Sequence, residues 1–272
     1  MRGRHGLRFR LCFVLAAPDQ DTAPHRLERR LWRGGRWPPH GRFPDGADVS
    51  DTEGISRCFD HCACAKSKRR HPGRVRGVSK VLLELVERQG LAGATVLELG
   101  CGLGGLTRET VRLGASRATG IDLSPESVRA ATRLAAGDAL TDRVAFSVGD
   151  GARTSLEPHD VVVLDKVICC YPEMDALLEN SLGAARRTYA FVAPVSWGWR
   201  GLAARIAISF GNAFFRITRQ GYRAFVHDLR HVEARIADEA FERIAATRSA
   251  IWFVGVYGRR RDEMDRRLGI AS

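Results

Sequence analysis

Long apolar runs, a disulfide-type cysteine pattern and internal repeats are all missing from this chain of 272 residues. Its longest apolar segments, such as residues 161–164 and 190–193, are far shorter than the roughly 20-residue helix that crosses a bilayer, which excludes a membrane span. Seven cysteines, two of them adjacent (Cys169 and Cys170), do not form the pattern of a small secreted disulfide scaffold. We therefore expect a cytoplasmic protein.

The net charge of +12 is concentrated near the amino end. Residues 1–48 contain 10 basic and 5 acidic side chains, and residues 57–80 contain 8 basic and 1 acidic. From residue 81 onward the counts are 25 and 23, so the body of the protein is nearly neutral. Any long-range attraction of an anionic partner is therefore a property of the amino end.

Residues 1–48 differ from the rest in composition. They are rich in Arg, Gly and Pro and have no period of 2 or 3.6, so we expect a disordered segment, or a non-native extension if translation begins at Val49. A signal peptide is the less favoured alternative, because the apolar core is short and lacks a small-residue cleavage pattern. We predict a basic helical cap over residues 49–90, the main domain over 91–258 and a charged tail over 259–272.

The apolar pattern from residue 75 onward predicts strands that alternate with helices. Strands are expected at 95–99, 118–123, 144–148, 161–164 and 188–193, and helices near 78–90, 107–113, 124–137, 175–185 and 231–241. Two last strands, 243–247 and 251–257, are separated by only three residues and must form an antiparallel hairpin. The predicted fold class is α/β, with an open, mostly parallel seven-stranded sheet, helices on both faces and a C-terminal antiparallel hairpin.

A glycine-rich turn follows the first predicted strand, with Gly100, Gly102, Gly104 and Gly105 in close succession. Such a turn lets the backbone approach a ligand at the carboxyl edge of the sheet. Read as G-x-G-x-x-G, it also fits a nicotinamide dinucleotide. Glu98, two residues before the first glycine, favours S-adenosylmethionine, because that ligand has a charged amino-acid end for an acid to orient and no pyrophosphate.

Three further motifs follow the glycine turn in order. Asp122 ends the second strand, Gly149-Asp150-Gly151 follows the third, and Asp165 ends the fourth. On these motifs the chain resembles the class I (Rossmann-like) S-adenosylmethionine-dependent methyltransferases over roughly residues 75–257. The resemblance implies ribose contacts from Asp122 and adenine contacts near Asp150. The implied cofactor-binding residues are Glu98, Gly100, Cys101, Gly102, Gly104, Asp122, Leu123, Gly149, Asp150 and Gly151.

Within this class, residues 163–172 and the later His227, Phe241 and Trp252 are similar to the magnesium-protoporphyrin O-methyltransferases and their unassigned relatives. That group methylates a propionate carboxylate. The resemblance implies methyl transfer to a small-molecule acceptor, at a carboxylate or hydroxyl oxygen, with S-adenosylhomocysteine (SAH) as the product. A protonated acceptor needs a base, and the candidate catalytic residues are Asp165, Tyr171 and His227.

Residues 197–215 contain an apolar stripe at helical spacing, for which core packing is the default interpretation. The resemblance implies instead a lid above an apolar or planar acceptor, and a membrane-surface helix is a third option. Asp165-Lys166-Val167-Ile168 replaces the [Asp/Asn]-Pro-Pro-[Tyr/Phe] motif of base N-methyltransferases, which disfavours a nucleic-acid acceptor.

Three other functions stay open: a nucleic-acid methyltransferase recruited by the basic segment, an NAD-dependent oxidoreductase, and a cofactor-binding regulator without turnover. We expect no metal site, although Cys58, Cys62 and Cys64, with His61 and His71 nearby, leave metal binding open. The oligomeric state has no sequence signal.

Overall fold

The computed structural model describes residues 52–67, 72–172, 174–218 and 221–261. The segment predicted as an extension, residues 1–48, and most of the tail predicted at 259–272 lie outside these ranges. The helices are α1 (Thr52–Ser67), α2 (Val78–Glu87), α3 (Gly105–Arg112), α4 (Pro125–Gly137), α5 (Met174–Ala184), α6 (Gly198–Ile217) and α7 (Leu229–Asp238). The strands are β1 (Thr95–Leu99), β2 (Arg117–Asp122), β3 (Val144–Val148), β4 (His159–Asp165), β5 (Ala185–Pro194), β6 (Phe241–Ser249) and β7 (Trp252–Arg259).

The seven strands form one sheet in the order β3-β2-β1-β4-β5-β7-β6. The first five strands are parallel to one another, and β7 lies antiparallel to both β5 and β6. The predicted fold class, including the antiparallel hairpin, is confirmed. Because the chain leaves β1 toward β2 on one side and returns to β4 on the other, a crevice forms at the carboxyl ends of β1 and β4.

Both faces of the sheet are buried, because apolar side chains alternate between two layers along each central strand. Val161 and Val163 of β4 face the layer that contains α2 and α3, whereas Val162 and Leu164 face the layer that contains α5 and α7. All four of these side chains are at most 1% exposed. The sheet therefore forms a rigid base for the crevice at its edge.

The sequence signals at the start of α4 are confirmed. Ser124 is the N-cap, its Oγ accepts a hydrogen bond from the backbone N–H of Ser127 at 2.9 Å, and Pro125 occupies the first helical position. At α7 the predicted boundaries are wrong. The helix begins at Leu229 after the N-cap Asp228 and ends at Asp238, and the positive φ of 61° at Ala240 redirects the chain so that Phe241 begins β6.

No helix among the described residues is both long and apolar enough to cross a bilayer. The region predicted as a helical stripe, residues 197–215, forms α6, which runs two residues further than expected. The predicted cap segment contains α1 and α2, and α2 packs on strands β5 and β7 through side chains such as Leu82 and Val86.

Candidate active site

A cavity of about 680 Å³ lies at the carboxyl ends of β1, β2 and β4, with α1 and residues 72–79 on its other side. This volume falls in the range of roughly 300–1,000 Å³ that is usual for small-molecule sites. Of the residues predicted to bind the cofactor or to act in catalysis, ten line it: Glu98, Gly100, Cys101, Gly102, Asp122, Leu123, Gly149, Gly151, Asp165 and Tyr171.

The glycine turn between β1 and α3 leaves free space on the side that faces the cavity. At Gly102, where φ is 53°, an added Cβ would meet nothing within 4 Å, so a ligand can approach the backbone there. At Gly104, where φ is 66°, a Cβ would collide with the ring of Phe146. Gly104 is therefore required by packing behind the turn and does not line the cavity.

Asp122 ties the glycine turn to the end of β2. Its Oδ2 accepts a hydrogen bond from the backbone N–H of Gly102 at 2.7 Å, and its Oδ1 accepts one from the N–H of Ser124 at 2.8 Å. Asp122 is 8% exposed, and burial raises the pKa of its carboxyl group while the two backbone donors act in the opposite direction. Asp122 thus combines a structural role in the turn with a position in the cavity wall.

Glu98 is a buried acid between β1 and α3. Its Oε2 accepts hydrogen bonds from the backbone N–H of Thr107, at 2.8 Å, and from the Thr107 hydroxyl. Burial is the largest influence and raises the pKa of Glu98 to about 8. A buried carboxyl group of this kind, in a cavity wall, is stabilised in its ionised form by any cation that enters.

Helix α1 covers the cavity and is fastened to α4. The Asp60 Oδ1 accepts hydrogen bonds from the Ser124 hydroxyl at 2.6 Å and from the backbone N–H of Glu126 at 3.0 Å. The Ser56 hydroxyl donates to the carbonyl oxygen of Leu123 at 2.9 Å. A carboxylate at the N-terminus of α4 is also favoured by the helix dipole. These contacts place the apolar side of α1 over the cofactor motif.

The three cysteines of the possible metal motif all lie on α1. Cys58 and Cys62 are buried, Cys64 is exposed, and Cys62 lines the cavity. Within the described part of the chain, no group of three His, Cys, Asp or Glu side chains is arranged to hold a metal ion.

A cluster of three polar side chains lies where β4 ends. The Ser79 hydroxyl donates to Asp165 Oδ2 at 2.5 Å, and Lys166 Nζ donates both to Asp165 Oδ1 and to Ser79 Oγ, each at 2.6 Å. Lys166 has a φ of 63°, a strained conformation for a residue with a side chain. All three residues line the cavity. Ser79 was not singled out from the sequence, because it lies 86 residues before Asp165 and no local signal links them.

Tyr171 and its neighbours form the wall next to this cluster. The Tyr171 hydroxyl donates to Asp150 Oδ1 at 2.9 Å, and burial raises the pKa of Tyr171, which keeps the phenol protonated. His227 lies behind this wall and does not line the cavity: its Nε2 donates to the backbone oxygen of Tyr171 at 2.8 Å. Burial lowers the pKa of His227, so the imidazole is neutral at pH 7.

Asp150 likewise lies outside the cavity lining, where it accepts from Tyr171 and from the backbone N–H of Ala152 at 3.0 Å. The expected lid over residues 197–215 is not observed, since α6 contributes no residue to the described lining. Side chains of α1, such as Phe59 and Cys62, line the cavity, as do Ser249 and Ala250 at the turn before β7 and Trp252 at its start.

Comparison with known proteins agrees with this architecture. Residues 96–187 match the family described as a methyltransferase domain. The chain is 27% identical over 184 residues to the ribosomal protein L11 methyltransferase of Escherichia coli. The match covers 68% of this chain and 53% of that protein. The corresponding protein of Photobacterium profundum is 29% identical over 140 residues, covering 52% and 42%. The chain thus spans about half the length of the curated relatives it matches.

Solved structures share the fold. The magnesium protoporphyrin IX methyltransferase of Synechocystis PCC 6803, with bound SAH, superimposes with a TM-score of 0.60 at 21% identity, covering 77% of this chain and all of that one. Geranyl diphosphate C-methyltransferase of Streptomyces coelicolor gives a TM-score of 0.53 at 15% identity, covering 67% and 77%.

Residues 96–187 therefore match a methyltransferase domain, and the fold is that of solved methyltransferases, as the resemblance to the class I S-adenosylmethionine-dependent methyltransferases predicts. The family match agrees with the expected class of enzyme, and the magnesium protoporphyrin neighbour has also been solved with the expected cofactor, S-adenosylmethionine, bound. The relatives named above act on different acceptors, so the class alone does not identify the molecule that is methylated.

Proposed function

We propose that this chain transfers the methyl group of S-adenosylmethionine to a carboxylate or hydroxyl oxygen of a small molecule with an apolar or planar body. The observation that carries the proposal is the cluster of Ser79, Asp165 and Lys166, which lies in the same cavity as the cofactor motif. A cation beside a carboxylate can hold an anionic or hydroxyl acceptor next to the cofactor.

The residues present fit the cofactor. Asp122 is a nearly buried carboxylate at the strand end where ribose hydroxyls can donate to it, and Gly102 leaves open space beside it. Glu98, whose pKa is raised by burial, would be compensated by the ammonium group of the methionyl end. Gly149 and Gly151 would border the adenine, with Asp150 and Gly104 supporting the wall from behind.

When bound, the cofactor would supply a methyl group already activated on a sulfonium sulfur. The task left to the protein is alignment and the exclusion of water, to which the cover formed by α1 contributes. Lys166 would hold a carboxylate acceptor, which needs no base. For a hydroxyl acceptor, Asp165 would receive the proton. Tyr171 and His227 are better suited to positioning, since one is a protonated phenol bonded to Asp150 and the other lies outside the cavity.

The charge distribution favours an acidic acceptor. The cavity lining includes three basic side chains, Lys66, Arg74 and Arg76. They belong to the basic segment of the sequence at residues 57–80. Phe59 and Trp252 add aromatic surface to the same lining. An apolar or planar body that bears an acidic group matches both features.

A methyl-release experiment tests the proposal. Purified protein with methyl-labelled S-adenosylmethionine is offered three groups of acceptors: aromatic and tetrapyrrole carboxylic acids, phenols, and RNA with ribosomal protein. We expect SAH formation with a member of the first two groups, and alkaline hydrolysis separates a methyl ester, which releases methanol, from a stable ether. SAH formation with RNA or ribosomal protein alone would overturn the acceptor class. Calorimetric binding of NAD without binding of SAH would overturn the cofactor.

Substitution of Lys166 tests the cluster. In Lys166→Met, the acceptor KM should rise at least about tenfold, the scale of a lost charge-assisted hydrogen bond, while SAH affinity is retained. Lys80→Met is the matched control, because that lysine is exposed on α2, pairs with Glu84 at 3.4 Å and does not line the cavity. An acceptor KM that is the same in both variants would contradict the role of Lys166.

We also propose the cytoplasm as the compartment. Three buried cysteines that line the cavity, Cys62, Cys101 and Cys170, are not in disulfide bonds, which suits a reducing environment.

A further inference from the structure

Helix α6 exposes an apolar stripe to solvent. Five large side chains in this stripe are each between 50% and 80% exposed: Trp199, Leu202, Ile206, Phe210 and Ile217. At about 100° per residue, these positions fall within an arc of about 80° on one side of the helix. The stripe is therefore one continuous patch rather than a set of scattered apolar residues, and such patches mark interaction surfaces.

The orientation of α6 is fixed by its opposite face. Gly201, Ala204 and Gly211 are buried on that side, together with Ile208 and Phe215. The Phe215 ring contacts Tyr222 with centroids 5.0 Å apart. Near the helix end, the Asn212 side chain forms two hydrogen bonds, both of 2.8 Å, with the backbone of Ala224. The small residues pack on the body of the protein, so the exposure of the larger ones follows from how the helix is seated.

Arginine side chains border the stripe on both sides. The sequence of α6 contains Arg200, Arg205 and Arg216 and no acidic residue. On the helical wheel, Arg200 lies on one flank and the other two lie on the opposite flank. The Arg200 guanidinium lies 5.2 Å from the centre of the Trp199 ring.

A shallow recess beside the start of α6 extends this surface. It is lined by Arg200, Arg243 and Arg248, with Glu233 as an acidic member that pairs with Arg243 at 2.7 Å. Ile244, which is 47% exposed, adds an apolar side chain next to the recess. The surface as a whole is apolar along its centre and basic at its border.

We propose that α6 docks on an anionic lipid bilayer and lies in the plane of the interface. A helix of 20 residues is about 30 Å long, and its stripe can enter the headgroup boundary while arginines on both flanks reach lipid phosphates. Tryptophan at this depth is favourable, because its ring is apolar and its N–H remains hydrated. A second copy of the chain is a poorer occupant, since a two-fold contact would bring the arginine borders of both copies together.

Vesicle cosedimentation of the full chain tests the proposal. At low salt we expect retention on vesicles of phosphatidylcholine with 30% phosphatidylglycerol, but not on phosphatidylcholine alone, and release as the salt concentration rises. Arg205→Gln should weaken retention about fivefold. Phe210→Gln should weaken it at least about tenfold, because a buried apolar side chain is lost.

Two matched controls carry the same chemical changes elsewhere. Arg133→Gln removes an exposed arginine of α4, and Val148→Gln removes an apolar side chain that is 53% exposed on β3, so both should bind vesicles as the unchanged protein does. Calorimetry with SAH shows that each variant is folded, and membrane binding does not depend on the identity of the acceptor.

Three results would overturn the proposal. The first is equal retention on neutral and anionic vesicles, and the second is equal losses in the α6 variants and their controls. The third is a lack of retention together with a dimer, seen by sedimentation equilibrium, that Phe210→Gln dissociates.

Discussion

Replacing Asp122 with asparagine tests how the glycine turn and the cofactor are joined. In the structure, one carboxylate oxygen accepts from the N–H of Gly102 at 2.7 Å and the other accepts from the N–H of Ser124 at 2.8 Å. An asparagine offers one oxygen and one NH2 group. Whichever way the amide is turned, a backbone N–H in a nearly buried position faces another donor, which costs about 1–3 kcal/mol.

The same substitution removes the charge that the ribose hydroxyls would meet. We expect Asp122→Asn to weaken SAH binding by about 1.5–3 kcal/mol, or roughly 10- to 150-fold, as measured by calorimetry at pH 7. Unfolding in denaturant, followed without ligand, reports separately the cost to the turn.

Asp160→Asn is the matched control for Asp122→Asn. Asp160 lies at the opposite end of the sheet, where its Oδ2 accepts from the backbone N–H and the hydroxyl of Thr95 at 2.8 and 2.9 Å. A single asparagine oxygen can keep both bonds, so we expect SAH affinity within about twofold of the unchanged protein. Full SAH affinity in a folded Asp122→Asn protein, or equal losses in the two variants, would refute the assignment of Asp122 to the ribose.

Three other changes test the neighbouring contacts. In the free protein Glu98 has a pKa of about 8, and the ammonium group of a bound ligand lowers that pKa. The affinity for SAH, measured by calorimetry, should therefore rise with pH toward 8 and then level. A Glu98→Gln protein that keeps this rise would contradict the explanation. Asp60→Ala removes the hydrogen bonds that hold α1 on the N-terminus of α4. Amide hydrogen exchange in α1 should therefore speed up by about 5- to 150-fold relative to α4, the range expected for the loss of these bonds. Uniform exchange across the protein would argue against a separately docked α1. Gly105→Ala places a methyl group against the carbonyl oxygen of Gly73, so we expect the free energy of unfolding to fall by about 1–3 kcal/mol. In the control Gly137→Ala the methyl group meets open space, and the free energy of unfolding should rise by up to about 1 kcal/mol. Changes of the same sign in both variants would be inconsistent with the close contact at Gly105.

Local patterns in the sequence were sufficient for most of the fold. Apolar strands, the cap formed by Ser124 and Pro125, and the three-residue link between the last strands each depend on neighbours in the chain, and each is confirmed. The end of α7 was misplaced because Phe241 continues the helical spacing, while a backbone reversal at Ala240 decides where the helix stops.

The site could be predicted only in part, because much of it is made by contacts between distant residues. Asp122 and Asp165 end strands, so their position at the sheet edge follows from the fold. Ser79 reaches Asp165 across 86 residues, and His227 bonds to the backbone oxygen of Tyr171 from behind the cavity wall, which spacing cannot reveal. For α6 the sequence showed an apolar stripe but not that the side with small residues, such as Gly211, is the one that packs.

The position of β7 has a consequence for how the protein is made. This strand is the last of the seven in sequence, yet it lies between β5 and β6, and Val254 and Val256 are fully buried there. Until residues 252–259 have emerged from the ribosome, β6 lacks the strand that it pairs with in the described sheet, and β5 has an open edge. The sheet can thus close only after nearly all of the described chain has been synthesised. A nascent chain that stops before β7 has an exposed apolar strand edge, which is prone to aggregation.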